Sequence, residues 1–388
     1  MGEDGPDGLS RASRKALEQA EIIMGPPRHL ALLPEVAAQR VEWPVPFADG
    51  VMQLLALRGR DVVMLASGDP FWFGAGSVIT RHLDPGEWRA LPGVSTFSLA
   101  GATLGWALES TACLGLHAAP LTRLRPHLSP GNRIIALLRD GDAVRELADW
   151  LKDVGFGRSI LHVMQALGGP RAQVRSTLAD GFDVGDITHP VCVGIEVAGD
   201  GVPLGLAAGR SDDIFESDGQ ITKRPMRALT LSALAPRHGE HLWDIGGGSG
   251  SIAIEWLLSH PGTSATTIEP RADRAARIRR NARQLGVDRL QVVTGKAADA
   301  LAGLDAPDVV FIGGGLSQEL LVWLRDNLAA DTRLVANSVT LESDALLSHW
   351  QAKLGGDLIR VDLAQVAPLG SRRKWQPSLP LTQWSVTL

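Results

Sequence analysis

The chemistry of this chain concentrates where an acid meets a run of glycines. Residues 241–251 read His-Leu-Trp-Asp-Ile-Gly-Gly-Gly-Ser-Gly-Ser. A short apolar run ends around Asp244 and breaks into Gly246, Gly247, Gly248, Ser249 and Gly250. A helical pattern follows at once, carried by Ile252, Ala253, Ile254, Trp256 and Leu257. Strand, bare-backbone turn and helix start in succession offer unpaired N–H groups to a ligand that comes close to the main chain. The ligand expected of such a turn is a nucleotide. A dinucleotide fingerprint has the spacing G-x-G-x-x-G. Counted from Gly246, its third glycine would fall on Ser251. The spacing present is G-x-G-x-G behind Asp244, which has no pyrophosphate to cradle. It suits S-adenosylmethionine, whose amino-acid end meets the glycine loop and whose ammonium pairs with a carboxylate. A second marker lies 25 residues on: the run Ala265-Thr266-Thr267-Ile268 ends in Glu269. An acid at the tip of the second strand is placed to accept both ribose hydroxyls.

These residues need a frame. Strand-like runs at 241–245, 265–269, 290–294, 308–312, 333–337 and 357–363 alternate with helical patterns at 225–235, 251–259, 271–285, 297–303, 316–328 and 341–353. In 271–285, Ala275, Ile278, Ala282 and Leu285 share one face, and Gly286 ends the helix. Such alternation predicts an α/β domain with a parallel sheet covered on both faces, binding ligands at the carboxyl ends of its strands. Asp244, Glu269, the stretch Gly295 to Ala297 and the stretch Gly313 to Gly315 all fall at such ends, so four strand tips are expected to open on one crevice. The other half reads differently. Asp61 to Ala66 is a buried strand running into Ser67-Gly68-Asp69-Pro70, followed by Phe71 to Phe73 and Gly74-Ala75-Gly76. Leu91-Pro92-Gly93-Val94-Ser95-Thr96 leads into a small-residue helix from Phe97 to Ala107, and strands are expected around 133–138, 159–164 and 190–197. Two small α/β lobes, 1–112 and 116–205, are predicted, with loops meeting between them. Glycine, proline and acids cluster at 199–220, as a linker should.

The totals bound the reading. A chain of 388 residues is too long for one ordinary core. Its 45% hydrophobic and 21% charged residues suit globular domains. A net charge of −5 argues against nucleic acid as a partner, because phosphate binding needs a basic face. Two cysteines, Cys113 and Cys192, make neither a disulfide framework nor a CxxC metal site, so a reducing cytoplasm is the expected compartment. No signal peptide is visible at Met1. The longest uncharged stretch, Leu91 to Leu108, is too broken by glycine, proline, serine and threonine to span a membrane. The ten histidines are scattered, so no metal is expected.

With both halves read, the chain resembles a known arrangement. The N-terminal half is similar to the tetrapyrrole methyltransferase family in Met1-Gly2-Glu3-Asp4-Gly5, Ser67-Gly68-Asp69-Pro70 and Pro92-Gly93-Val94-Ser95-Thr96. The C-terminal half resembles the class I methyltransferases of cobalamin biosynthesis in Asp218-Gly219-Gln220-Ile221-Thr222-Lys223-Arg224, Asp244 to Gly250 and Phe311-Ile312-Gly313-Gly314-Gly315. The resemblance implies a two-lobed tetrapyrrole methyltransferase fold over 1–205 and a class I (Rossmann-like) domain over 212–388. It implies two molecules of S-adenosylmethionine per chain and a small corrinoid precursor as substrate. The first domain would methylate C5. The second would methylate C15 and decarboxylate the C12 acetate. A cytoplasmic homo-oligomer without nucleic-acid or membrane partners is expected. A fused methyltransferase acting on another tetrapyrrole, or with one active domain, stays open. The family opens with a full strand before its first glycine turn, whereas here the turn begins at residue 2. The expectation is a recorded start downstream of the true one.

By the same resemblance, Asp244, Gly246, Gly247, Gly248, Ser249 and Gly250 meet the methionine end of the cofactor and Glu269 the ribose. Lys296 and Ala297 border the adenine, Gly313 lies at the next strand tip, and Thr222 covers the site. Gly68, Asp69, Ser95, Thr96, Leu137 and Pro190 form the second cofactor site. Asn337, Thr340 and Glu342 follow a strand and are candidate neighbours of the carboxylate to be lost. Thr340 reads equally well as a helix cap. Arg372, Arg373 and Lys374, in an expected loop, are candidates for binding substrate carboxylates. Arg271, Arg274, Arg277, Arg279, Arg280 and Arg283 crowd one helix and read as a solvated face.

Overall fold

A computed structural model describes all residues from Met1 to Leu388. The chain divides into two compact units: Met1–Leu121 with His127–Pro203, and Leu204–Leu388 with Thr122–Pro126. No helix is long and apolar enough to cross a membrane.

The first unit holds two sheets. Strands β1 (Ile22–Gly25), β2 (Gln39–Glu42) and β3 (Val62–Met64) run parallel in the order β2-β1-β3. All four residues of β1 are buried, as a central parallel strand requires. β3 forms an edge. A cavity of about 580 Å³ runs beside it, lined by Leu9, Leu17, Val63 and Leu65 among others, and the Met1 α-amino group donates to the Ala66 carbonyl at 2.6 Å. The second sheet is formed by β4 (Thr111–Gly115), β5 (Arg133–Leu138), β6 (Ile160–Gln165), β7 (Gln173–Leu178) and β8 (Val191–Glu196), in the order β4-β5-β8-β6-β7. Only β4 and β5 are parallel. The helix Gly141–Asp153 is capped by Asp140, which accepts from the Ala143 N–H. It turns Val144, Leu147, Ala148 and Leu151 inward at helical spacing.

The second unit is one seven-stranded sheet with helices on both faces. Strands β9 (His241–Ile245), β10 (Ser264–Glu269), β11 (Gln291–Thr294), β12 (Val309–Ile312), β13 (Arg333–Ser338) and β14 (Asp357–Val361) fall within a residue or two of the runs expected from sequence. β15 (Ala364–Leu369), β16 (Arg372–Pro377) and β17 (Leu381–Thr387) were not expected. The order is β11-β10-β9-β12-β13-β17-β14, and β17 inserts antiparallel to both its neighbours. The predicted parallel sheet is therefore a mixed one, closed by an antiparallel strand. Strand order reverses at β9, which has β10 on one side and β12 on the other. A crevice opens at the carboxyl ends there. Trp243, Trp350 and Trp384 pack in the core on one face, and Trp256 with Ile252, Ile254 and Ile278 on the other. Residues 372–374, expected as loop, lie in β16. The β15–β16 hairpin is exposed almost throughout, so no burial periodicity marks it in the sequence.

Candidate active sites

A cavity of about 1,160 Å³ lies at the carboxyl ends of β9, β10 and β12 in the second unit. The turn after β9 forms its floor. Gly246 and Gly250 adopt φ of 77° and 76°, which a side chain would strain. A Cβ on Gly246 would sit 2.7 Å from the main chain of Gly314, so the glycine turns after β9 and β12 touch. Gly247 is glycine for packing: its Cβ would meet the Thr267 methyl at 2.1 Å. Thr222, Gly248, Ser249, Lys296, Ala297 and Gly313 also line the cavity. The four strand tips expected to converge do so.

Two buried groups there each have an oxygen without a partner. Asp244 is 1% exposed. The Thr267 hydroxyl donates to its Oδ2 at 3.3 Å, and its Oδ1 accepts nothing. Burial pushes the Asp244 carboxyl up to about 7, and the nearby Glu269 charge adds to this, against the pull of Thr267 and the Ala253 N–H. Ser249 is equally buried, and its Oγ is unpartnered. Buried polar groups are normally satisfied. A pair of orphans facing a cavity fits the charged amino-acid end of S-adenosylmethionine. Glu269 has a second task. Its Oε2 accepts from the Gly248 N–H at 2.9 Å and its Oε1 from the Arg271 N–H at 3.0 Å. It braces the glycine turn and retains lone pairs for a ribose.

A strap of residues 216–223 borders the cavity, and its fixing was not anticipated. Asp218 is held by Arg274 at 2.9 Å and Arg277 at 3.3 Å, and Glu216 by Arg280 at 3.0 Å. Half of the arginines read as a solvated face thus tie down the strap. The far end is anchored in the core. Arg227, with no exposed side-chain surface, donates to Glu255 at 2.6 Å, to Asp212 at 2.9 Å and to the Thr222 carbonyl. Glu255, also fully buried, accepts the N–H groups of Gly209 (2.7 Å) and Arg210 (3.0 Å). The signal was present: a lone carboxylate between Ile254 and Trp256 in an apolar helix demands partners.

The remaining candidates separate. Asn337 lines the cavity; its Nδ2 donates to Thr230 Oγ1 at 2.8 Å and its Oδ1 accepts from Gln383 at 2.9 Å. Thr340 instead caps the helix Leu341–Leu354, accepting from the Ser343 N–H, and Glu342 is exposed in its first turn. Neither lines the cavity. Arg372, Arg373 and Lys374 also lie outside it, on the hairpin.

In the first unit, the two expected loops meet. A Cβ on Gly68 (φ 51°) would lie 2.8 Å from the Val94 carbonyl and 3.0 Å from Ser95 Cα, and the Gly93 N–H donates to the Gly68 carbonyl. Asp69 closes its own turn by accepting from the Phe71 N–H at 2.8 Å. Ser95 is buried and caps the helix Thr96–Leu104 through the Ser98 N–H. Leu137 pairs with Gly115 and Cys192, so it and Pro190 sit at adjoining ends of β5 and β8.

Fold and site together define a methyltransferase in two parts. The tetrapyrrole (corrin/porphyrin) methylase family matches residues 1–181, and the family described as precorrin methyltransferase domain matches residues 213–388. The chain belongs to the precorrin-6Y C(5,15)-methyltransferase (decarboxylating) family. It is 48% identical to a member from Sinorhizobium sp., covering 100% of this chain and 95% of that one. It is 30% identical to the cobalt-precorrin-6B C(15)-methyltransferase (decarboxylating) of Salmonella typhimurium, over 42% of this chain and 85% of that one. Among solved structures, the C-terminal domain of precorrin-6Y C5,15-methyltransferase from Rhodobacter capsulatus is 54% identical, covering 48% of this chain and all of that one, with a TM-score of 0.47.

Proposed function

We propose that the chain methylates precorrin-6B at C5 and C15 and decarboxylates its C12 acetate, giving precorrin-8X in cobalamin biosynthesis. It uses two molecules of S-adenosylmethionine, one in each unit. The observation that carries the reading is the orphaned Asp244 carboxylate in a cavity roomy enough for cofactor and substrate. Full-length kinship with the named family supports it. The smaller relative, named for C15 methylation and decarboxylation alone, supports a division of labour in which the second unit performs those two steps.

S-adenosylmethionine supplies a methyl group on a positively charged sulfur. Asp244 and Ser249 would hold its amino-acid end, Glu269 the ribose, and Lys296 and Ala297 would border the adenine. Thr222 would cover it from the strap. The acceptor is an electron-rich ring carbon, so no strong base is needed. The protein contributes alignment and exclusion of water. For the decarboxylation, the C–C bond to the carboxylate breaks, CO2 leaves, the conjugated ring takes the electron pair, and a proton from solvent then completes the methyl group left at C12. Asn337, its amide fixed by Thr230 and Gln383, has one N–H free to orient that carboxylate. In the first unit, Gly68, Asp69, Ser95, Thr96, Leu137 and Pro190 would form the second cofactor site.

Mass spectrometry of the product from precorrin-6B tests this. Two methyl groups gained and one CO2 lost is the expected result, with two cofactor molecules bound per chain by titration. A single bound cofactor overturns the two-site reading.

A further inference from the structure

The loop after Gly68-Asp69-Pro70 carries an aromatic cluster whose exposure the fold does not explain. Trp72 and Phe73 are 38% and 49% exposed. They nonetheless form an ordered patch. Both lean on the buried Phe97, with ring centroids 4.8 and 5.8 Å away. Phe71 instead packs on Trp88 at 5.6 Å, and those two rings line the cavity beside β3. A contiguous exposed apolar patch marks a binding surface more often than a scattered side chain does.

The backbone is strained to present it. Phe73 has φ of 55°, a region that bulky residues avoid and that persists only where the surroundings enforce it. The surroundings do so. Cβ atoms on Gly74 and Gly76 would lie within 2.8 Å of the Pro70 carbonyl oxygen, and Gly115 has no side chain where the Phe73 ring lies against it. The segments touching these two rings belong to the proposed first-unit cofactor site or pair with it. Asp69 is three residues before Trp72, Phe97 follows Ser95 and Thr96, and Gly115 pairs with Leu137.

Charge is arranged beside it. Arg28 and Arg171 both bond Glu3, and Arg28 also donates to Ser67 at 3.1 Å, one residue before Gly68. Apolar rings on a loop whose first residue is bonded by a guanidinium match a macrocycle with an apolar face and carboxylate arms.

We infer that Trp72 and Phe73 form the shelf on which the face of the tetrapyrrole lies during the first unit's methyl transfer. This rests on the reading that the first unit is an active methyltransferase. The test uses the full chain and two variants, Trp72→Leu and Phe73→Gly. The second removes the ring and the backbone strain together, so it escapes loss by misfolding. Each variant is expected to raise KM for the tetrapyrrole in C5 methylation by about tenfold, the scale of one lost aromatic contact. The products should accumulate with one methyl gained and one CO2 lost, and two cofactor molecules should still bind. Folded variants that form the doubly methylated product with unchanged KM overturn the shelf. Loss of a bound cofactor in the variants also overturns it, since the rings would then serve the donor. So does a changed oligomeric state with both methylations intact, which would make the patch a contact between copies. A wild-type chain that adds only one methyl group fails the underlying reading and removes the shelf with it.

Discussion

Replacing Asp244 by Asn should stabilise the cofactor-free protein while disabling it. The Asp244 carboxyl is almost fully buried, with one oxygen unpartnered, and its pKa is raised from 3.8 to about 7. An acid with a raised folded-state pKa binds its proton in the native protein at pH values where the unfolded chain has already lost it. Native stability therefore falls as pH rises from 3.8 to 7 and levels off above. At 1.36 kcal/mol per unit, 3.2 units give about 4 kcal/mol of destabilisation above pH 7. Asn cannot ionise, and its amide can accept from Thr267 in the same place. The stability difference between Asp244→Asn and the parent should grow with pH from 4 to 7, at about 1.4 kcal/mol per unit, and stay constant beyond. For a unit of this size that is on the order of 10 °C in melting temperature at pH 8.

Thermal scans followed by tryptophan fluorescence suit the measurement, because Trp243 and Trp256 are buried in the same unit. The reasoning fails if the difference between variant and parent is flat from pH 5 to 8, or if the variant is the less stable at pH 8. A cationic ligand beside Asp244 favours its charged form. Cofactor affinity of the second unit should then rise about tenfold per pH unit up to pH 7 and be flat above, because binding must first release the proton. In Asp244→Asn that dependence should vanish together with most of the affinity.

Arg227→Met removes the shortest ion pair to the buried Glu255, leaving it Arg210 and two amides, and should cost about 3 kcal/mol of second-unit stability. Its loss of C15 methylation and decarboxylation should exceed any loss at C5, as product mass spectra would show. Glu269→Ala should weaken cofactor binding in calorimetry by about 1–3 kcal/mol, because a ribose acceptor and the brace on the Gly248 N–H go together. A fragment starting at Leu204 should fold and bind one cofactor, whereas one starting at Asp212 lacks the Gly209 and Arg210 amides that satisfy Glu255. Equal melting temperatures for the two fragments would contradict the anchoring role of residues 204–211.

The glycine turn and strand tips of the second unit were legible in sequence because they are local. A turn that needs positive φ must be written in glycine, and an acid at a strand tip is visible from the strand alone. The long-range pairings were not legible. β17 reads Leu-Thr-Gln-Trp-Ser-Val-Thr, with buried Thr382 and Gln383 that look like surface residues until Thr230 and Asn337 are found opposite. β1 and β2 are four residues each, too short for a period to declare itself. The strap arginines of the helix Ala272–Gln284 looked solvated because their acidic partners lie over fifty residues away. What separates scaffold from site is satisfaction rather than burial. Glu255 and Asp244 sit equally deep on neighbouring elements of one unit. Glu255 is surrounded by two arginines and two amides, so its charge holds the protein together and leaves no bonding capacity for a ligand. Asp244 has one hydroxyl, the pull of one backbone N–H and an empty oxygen, with no cation beside it, so its charge is unfavourable until something cationic arrives. A buried acid left in that state destabilises the free protein, and the ligand that relieves it gains the same interaction as binding energy.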